Sequence, residues 1–276
     1  MNIKKNELIF LGTGTSTGIP IIGCDCKVCC SLDSKDQRTR TSCLIKSQEG
    51  ISFLIDTSPD LRTQLLREKI AAIDFSIITH THADHLHGID DLRPFCFGLP
   101  GVSEPHSLAV YTTRENCQDI KLRFPYIFNR RTHFHKTTIL GGGSPIMHLE
   151  EVKSGQMKLH GLDFEFFKVP HGSFFTLGFL FRGLAYIVDC HEIPKNIIEQ
   201  LQGRVKILII DCLQEQPHRT HLNREKCFHY IREIQPDQSY LIHMNHEFSH
   251  QGLSELANKS FNGKVFVSYD GLRLNF

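Results

Sequence analysis

The segment Thr79-His80-Thr81-His82-Ala83-Asp84-His85 sets His80, His82, Asp84 and His85 close together at the end of an apolar run. Imidazole and carboxylate are suited to zinc, manganese or iron, and alternating histidines followed by an Asp-His pair can serve two adjacent ions rather than one. Two ions about 3.5–4 Å apart lower the pKa of a shared water, neutralise a phosphate and steady the leaving oxygen of an in-line displacement. The segment therefore predicts a two-metal hydrolase. The plain alternative, a polar loop with chance histidines, leaves unexplained why these ligand types fall where a strand would deliver them.

Such a loop needs a strand behind it, and 76–79 has the apolar character of a buried one. Similar runs at 8–11, 43–45, 52–55, 164–169, 177–181, 185–188, 207–210, 240–243 and 264–268 predict strands, and 59–69, 194–202, 223–234 and 252–259 carry helical patterns. Strands interspersed with helices predict two sheets packed face to face with helices outside. The stretch 98–161, with glycines at 141–143 and several polar segments, breaks the rhythm and reads as an inserted lid or rim on a single domain spanning 1–276.

Lys and Arg total 31 against 30 Asp and Glu, a net charge of +1, which gives no long-range field for a polyanion. No apolar run approaches the roughly 20 residues of a membrane span. The run 8–11 behind Lys4 and Lys5 is also too short for a secretory signal. The expectation is a cytoplasmic protein with no membrane partner. Disulfide frameworks belong to much shorter secreted chains, so the 10 cysteines read as metal ligands or reduced thiols.

The spacing of His80, His82, Asp84 and His85 resembles the H-x-H-x-D-H signature of the metallo-β-lactamase superfamily. The resemblance implies a four-layer αββα sandwich, an α/β fold, and three more ligands at strand ends: a His, a bridging Asp and a final His. His171 in Val169-Pro170-His171-Gly172, Asp189 after Ala185-Tyr186-Ile187-Val188, and His243 after Tyr240-Leu241-Ile242 match in order and setting. Taken singly, these would pass for a loop histidine, a strand-end cap and a core histidine. The family pattern gives one divalent ion, Mn2+ or Zn2+, to His80, His82 and His171. It gives a second to Asp84, His85 and His243, with Asp189 and a hydroxide bridging the two. Asp56, after Phe53-Leu54-Ile55, matches an earlier family Asp expected to orient a ligand from behind; a turn cap is the alternative.

In Gly23-Cys24-Asp25-Cys26-Lys27-Val28-Cys29-Cys30, the residues Cys24, Cys26 and Cys29 have C-x-C-x2-C spacing and can close round one structural Zn2+ if a fourth ligand arrives. His246 is the best fourth ligand, since in His243-Met244-Asn245-His246 a single turn can give one His to each site. A reduced cysteine cluster is the alternative.

This arrangement, with the opening Leu11-Gly12-Thr13-Gly14-Thr15-Ser16-Thr17-Gly18-Ile19-Pro20, resembles the phosphoribosyl cyclic phosphodiesterase branch of the superfamily. That resemblance implies hydrolysis of a small cyclic phosphate ester by attack of the metal-bridging hydroxide. His221, in Arg219-Thr220-His221-Leu222-Asn223, is similar to a His of that branch that approaches the substrate phosphate. It is the expected proton donor to the departing alkoxide, with Asp84 beside it in the catalytic set; a surface histidine at a helix start is the alternative. Asp211 reads either as a holder of the His221 loop or as a plain strand-end residue. The run Arg123-Phe124-Pro125-Tyr126-Ile127-Phe128 reads as packing, and His106, His133, His135, His191 and His218 as packing or surface.

Two rival readings remain. One is a nuclease resembling the tRNA 3′-end processing enzymes, which would need a basic RNA-gripping arm not evident here. The other is a non-catalytic, metal-stabilised binding protein. A homodimer is the default assembly.

Overall fold

In the computed structural model, which describes residues 5–97, 107–128 and 147–276, the apolar runs become buried strands, and more exposed strands join them at the sheet edges. In chain order these are β1 (Glu7–Gly12), β2 (Ser42–Lys46), β3 (Ser52–Ile55), β4 (Phe75–Ile77), β5 (Leu108–Thr112), β6 (Met147–Glu151) and β7 (Gly155–Leu159). There follow β8 (Leu162–His171), β9 (Phe174–Phe181), β10 (Leu184–Ile187), β11 (Ile207–Asp211), β12 (Gln238–Ile242), β13 (Val265–Val267) and β14 (Arg273–Asn275). The helices are α1 (Leu61–Arg67), α2 (Ala83–Leu86), α3 (Arg93–Phe97), α4 (Arg114–Arg123), α5 (Pro125–Phe128), α6 (Lys195–Leu201), α7 (Arg224–Ile234) and α8 (His250–Phe261).

Among the described residues the strands form two seven-stranded sheets, ordered β14-β1-β2-β3-β4-β5-β6 and β13-β12-β11-β10-β9-β8-β7. In the first, β3 to β6 run parallel; in the second, β10 to β13 do. Parallel neighbours need crossovers, and α1 between β3 and β4 and α7 between β11 and β12 lie on two of them.

Strand periodicity sorts the core into layers. On β1, Leu8 and Phe10 point between the sheets while Ile9 and Leu11 point to the helices; on β11, Ile207 and Ile209 point between the sheets while Leu208 and Ile210 face helices. Between the sheets Phe53 stacks on Phe75 at 5.0 Å and meets Phe164 and Phe181 edge-on. Outside, Leu61, Leu65, Leu86 and Ile120 cover the first sheet. Ile197, Ile198, Phe228, Ile231 and Leu253 cover the second. This is the four-layer αββα sandwich expected from the signature.

Every strand and helix anticipated from the sequence appears. Of the strands not anticipated, β6, β7 and β14 lie at sheet edges, where one open side keeps polar residues and interrupts any apolar run. The described residues of 98–161 are built into the sandwich as β5, β6, β7, α4 and α5. Residues 98–106 and 129–146, with the glycines at 141–143 and with His106, His133 and His135, lie outside the described residues. No helix among the described residues is long and apolar enough to cross a membrane.

Candidate metal centre

Asp56, His80, Asp189, Asp211 and His243 lie at or within three residues of the carboxyl ends of β3, β4, β10, β11 and β12, and His171 ends β8. Asp56, Asp189 and His243 have φ of 61°, 59° and 61°. An L side chain adopts that left-handed region at a cost of about 1–2 kcal/mol, and such residues gather where function demands the backbone turn. Helix α2 carries Asp84 and His85 and is held by Thr57. The Thr57 amide donates to the His85 carbonyl at 2.7 Å and its hydroxyl donates to the Leu86 carbonyl at 2.9 Å. Gly88 permits this approach, because a Cβ there would lie 1.9 Å from the Ser58 carbonyl oxygen.

The ring nitrogens are sorted by bonds made behind the centre. His85 Nδ1 donates to Asp56 Oδ2 at 2.7 Å, and His171 Nδ1 donates to the Thr220 carbonyl at 2.7 Å. The Thr79 hydroxyl donates to Asp56 Oδ2 at 2.8 Å and accepts from His80 Nδ1 at 3.1 Å. Each of these imidazoles is thereby left with its Nε2 directed at the centre.

Asp189 sits in the middle. Its Oδ2 lies 3.3 Å from His85 Nε2, 3.5 Å from His80 Nε2 and 4.0 Å from His171 Nε2, and its Oδ1 lies 3.2 Å from His243 Nε2. Asp84 Oδ2 is 3.2 Å from His85 Nε2 and 3.4 Å from His243 Nε2, and His82 Nδ1 faces His171 Nε2 at 3.3 Å. His80, His82, His171 and Asp189 form one group, and Asp84, His85, Asp189 and His243 another, each with all ligand atoms within 4.8 Å of one another. The seven residues singled out from the sequence are thus brought together, with Asp189 common to both groups.

The donor set fits divalent cations. Nitrogen or oxygen atoms about 2.0–2.1 Å from one tetrahedral ion lie ~3.3 Å apart, which is the spacing seen here. His80 Nε2, His85 Nε2 and Asp189 Oδ1 are buried with no hydrogen-bond partner, and lone pairs facing carboxylate oxygens in a dry interior call for a positive charge between them. The electrostatics agree. Burial disfavours charge on His85, yet Asp189, Asp84 and Asp56 hold its pKa well above the ordinary histidine range. Burial, and the His85 charge after it, push His80 well below that range. His171 is lowered to about 4, chiefly by burial.

Beside this centre, His221 Nδ1 donates to Asp211 Oδ2 at 3.1 Å and lies 3.9 Å from Asp189 Oδ1. Its ring lies nearly parallel to that of His243, with centroids 4.9 Å apart. Asp211 Oδ2 also accepts from the Cys190 and Leu222 amides at 3.4 Å, so Asp211 holds the His221 loop, one of the two roles read for it. Burial disfavours a charged His221, but Asp189 and then Asp211 outweigh it and raise the pKa to about 9.

Several neighbours were not legible as site residues. Thr79 and Thr220 act from behind, and Phe174 sets its ring 4.9 Å from His171 and 5.0 Å from His82. His218 lies 5.1 Å from His221, and His191 Nδ1 accepts from the Gly172 amide at 3.1 Å. Both belong to the surroundings of the site. Arg123 donates to the Thr81 carbonyl at 2.7 Å and so steadies the ligand loop. No residue-type pattern marks these; each depends on which chain segments meet at the edge.

The cysteine loop closes on His246 as its spacing suggests. His246 Nδ1 lies 3.3 Å from Cys24 Sγ and 3.5 Å from both Cys26 Sγ and Cys29 Sγ. Zinc bonds of about 2.3 Å to sulfur and about 2.0 Å to nitrogen put those atoms ~3.5 Å apart at a tetrahedral ion. An amide hydrogen bond from Cys29 leads the effects that bring Cys26 down to about 6, and burial leads those that raise Cys29 to about 11. The backbone between His243 and His246 is fixed: the Met244 amide donates to the Thr13 carbonyl at 3.1 Å, and the Thr15 amide donates to the Met244 carbonyl at 3.0 Å. Arg38, 1% exposed, donates to the Asn245 carbonyl at 3.1 Å and the Phe248 carbonyl at 2.9 Å.

A four-layer αββα sandwich with this His/Asp cluster at the carboxyl ends of its strands defines a metal-dependent hydrolase. The model of the beta-lactamase superfamily domain matches residues 52–244. The chain belongs to the metallo-β-lactamase superfamily. The match contains Asp56 and all seven residues of the cluster, while Cys24, Cys26, Cys29 and His246 fall outside it.

A crystal structure described as a new diphosphatase from the PhnP family is 33% identical, with a TM-score of 0.85 over 99% of this chain and 97% of that one. Zinc-bound PqqB from Methylobacterium extorquens shares the fold at 17% identity and a TM-score of 0.74, covering 98% of this chain and 100% of that one. The short form of human tRNase Z does so at 15% and 0.64, covering 97% and 98%. An octanoyltransferase of Porphyromonas gingivalis (strain ATCC BAA-308 / W83) is 35% identical over 96% of this chain, which spans about half, 50%, of that protein's length.

Proposed function

We propose that the chain hydrolyses a small phosphoric diester, a phosphoribosyl cyclic phosphate or a compound like it, using two divalent ions. The observation that carries this reading is Asp189, which belongs to both ligand groups and reaches His80 of the first and His85 and His243 of the second, as a carboxylate shared by two cations would. His80, His82 and His171 would hold one ion and Asp84, His85 and His243 the other. Zn2+ or Mn2+ suits this donor set. When bound, the pair supplies an acidified water and positive charge at the phosphate.

The protein's own residues do the rest. Asp56, Thr79 and Thr220 keep the nitrogens of His85, His80 and His171 aimed, and His221, held by Asp211, carries a proton at the edge of the centre for the departing oxygen. A third ion, a structural Zn2+, would sit among Cys24, Cys26, Cys29 and His246. A reducing, cytoplasmic setting would keep these cysteines available as zinc ligands.

A diphosphate linkage is the second reading, favoured by the likeness to the PhnP-family diphosphatase. RNA is less favoured: the net charge is +1, and the likeness to tRNase Z is one of fold.

Metal analysis with a turnover panel tests the proposal. The expected result is three ions per chain, loss of the active-site pair alone in Asp84→Ala, and hydrolysis of cyclic sugar phosphates or diphosphates with Mn2+ or Zn2+. Fully metallated protein that turns over no cyclic phosphate, linear diester, diphosphate or RNA would sink it.

A further inference from the structure

Three phenylalanines among the described residues are exposed, Phe174 at 37%, Phe175 at 55% and Phe266 at 36%, and of these Phe174 is the one whose ring packs against the metal cluster. It opens β9 directly opposite His171 across the β8–β9 hairpin. Its ring centroid stands 4.9 Å from His171, 5.0 Å from His82 and 6.0 Å from His80, nearly perpendicular to the first two rings. A large apolar ring is thus fixed on one side by three ligand imidazoles and open to solvent on the other, within one sugar's reach of the phosphate the centre would hold.

We propose that Phe174 is a stacking platform for a flat aromatic group attached to the substrate phosphate through a sugar, so that the substrate is a nucleotide rather than a base-free sugar phosphate. The inference rests on the phosphohydrolase reading for the position of the phosphate and deepens it by naming the substituent. Every nucleobase offers a π face to such a ring, which makes the contact tolerant of base identity. The ring neighbours the group of ligands led by His82 and His171, so the base would lie on that side of the centre, while His221 meets His171 at 4.7 Å and His243 at 4.9 Å.

Binding and turnover are measured separately so that the two readings can fail independently. Metal-loaded protein is titrated calorimetrically with AMP and with ribose 5-phosphate, which differ in the base. AMP is expected to bind about tenfold more tightly, equivalent to ~1.4 kcal/mol and within the range of one base stacked on an aromatic side chain. Phe174→Ala should bring the ratio close to one, and Phe174→Trp should keep it. In turnover, the wild type should prefer adenosine 2′,3′-cyclic phosphate over the same cyclic phosphate on methyl riboside, and Phe174→Ala should raise KM for the first alone with kcat little changed.

Equal affinity of the wild type for AMP and ribose 5-phosphate overturns the inference. So does a Phe174→Ala protein that loses bound metal and weakens both ligands equally, which would make the ring a shield for the ligands. A preference for AMP without turnover of any phosphoric ester would leave the aromatic subsite standing and remove the hydrolase reading.

Discussion

His221 is the residue whose role can be isolated most cleanly. A proton donor must be charged to act, so its contribution is present below its pKa and lost as pH rises through it. Asp189 and Asp211, overcoming burial, hold that pKa at about 9, and ions drawing on Asp189 would shift it downward. The expected pH profile therefore has a basic limb at or below about pH 9. His221→Gln should remove that limb and lower kcat by about 100-fold to 10,000-fold, with the metal content unchanged. A variant that keeps the wild-type profile would deny His221 the role. The residue was visible in the sequence by resemblance alone. What it bonds to was not, because Asp211 sits ten positions earlier at the end of a strand and looks like any other strand-end carboxylate.

At the level of elements, the strands feeding the centre were legible because both faces of each are buried, which writes continuous apolar runs into β3, β4, β10, β11 and β12. The ligands at their ends were legible for the same reason: a titratable residue directly after such a run stands out. The left-handed backbone at Asp56, Asp189 and His243 carried no signal, since the sequence shows no glycine there to announce a reversal. Nor did β6, β7 and β14, whose open edges mix polar with apolar residues. Helix α2 depends on a contact no pattern shows, the approach of Gly88 to Ser58. Gly88→Ala would force a methyl group into the Ser58 carbonyl, 1.9 Å away, and overpacking of this kind costs about 1–3 kcal/mol. Urea denaturation should register that loss, together with weaker metal binding through Asp84 and His85. A variant as stable as the wild type would mean that the helix shifts without strain.

Across the whole molecule, the stretch between His243 and His246 joins the two candidate metal sites. Its backbone is gripped by Thr13, Thr15 and Arg38, so disturbance at the cysteine loop is carried to His243 rather than absorbed. Cys24→Ser should therefore lower the melting temperature, by roughly 4–8 °C for a loss of about 2 kcal/mol, and also weaken metal binding at the centre. An unchanged Tm and unchanged active-site affinity in a zinc-depleted variant would separate the two sites. Coupling of this sort is reciprocal: the factor by which zinc in the cysteine cradle raises affinity at the centre must equal the factor by which ions at the centre raise affinity for that zinc. The metal-free chain should then fill cooperatively, giving a titration steeper than independent sites allow, and partly loaded molecules should be scarce at every metal concentration. Scarcity in the cell would consequently divide the population into fully armed and idle copies rather than slow all of them by degrees.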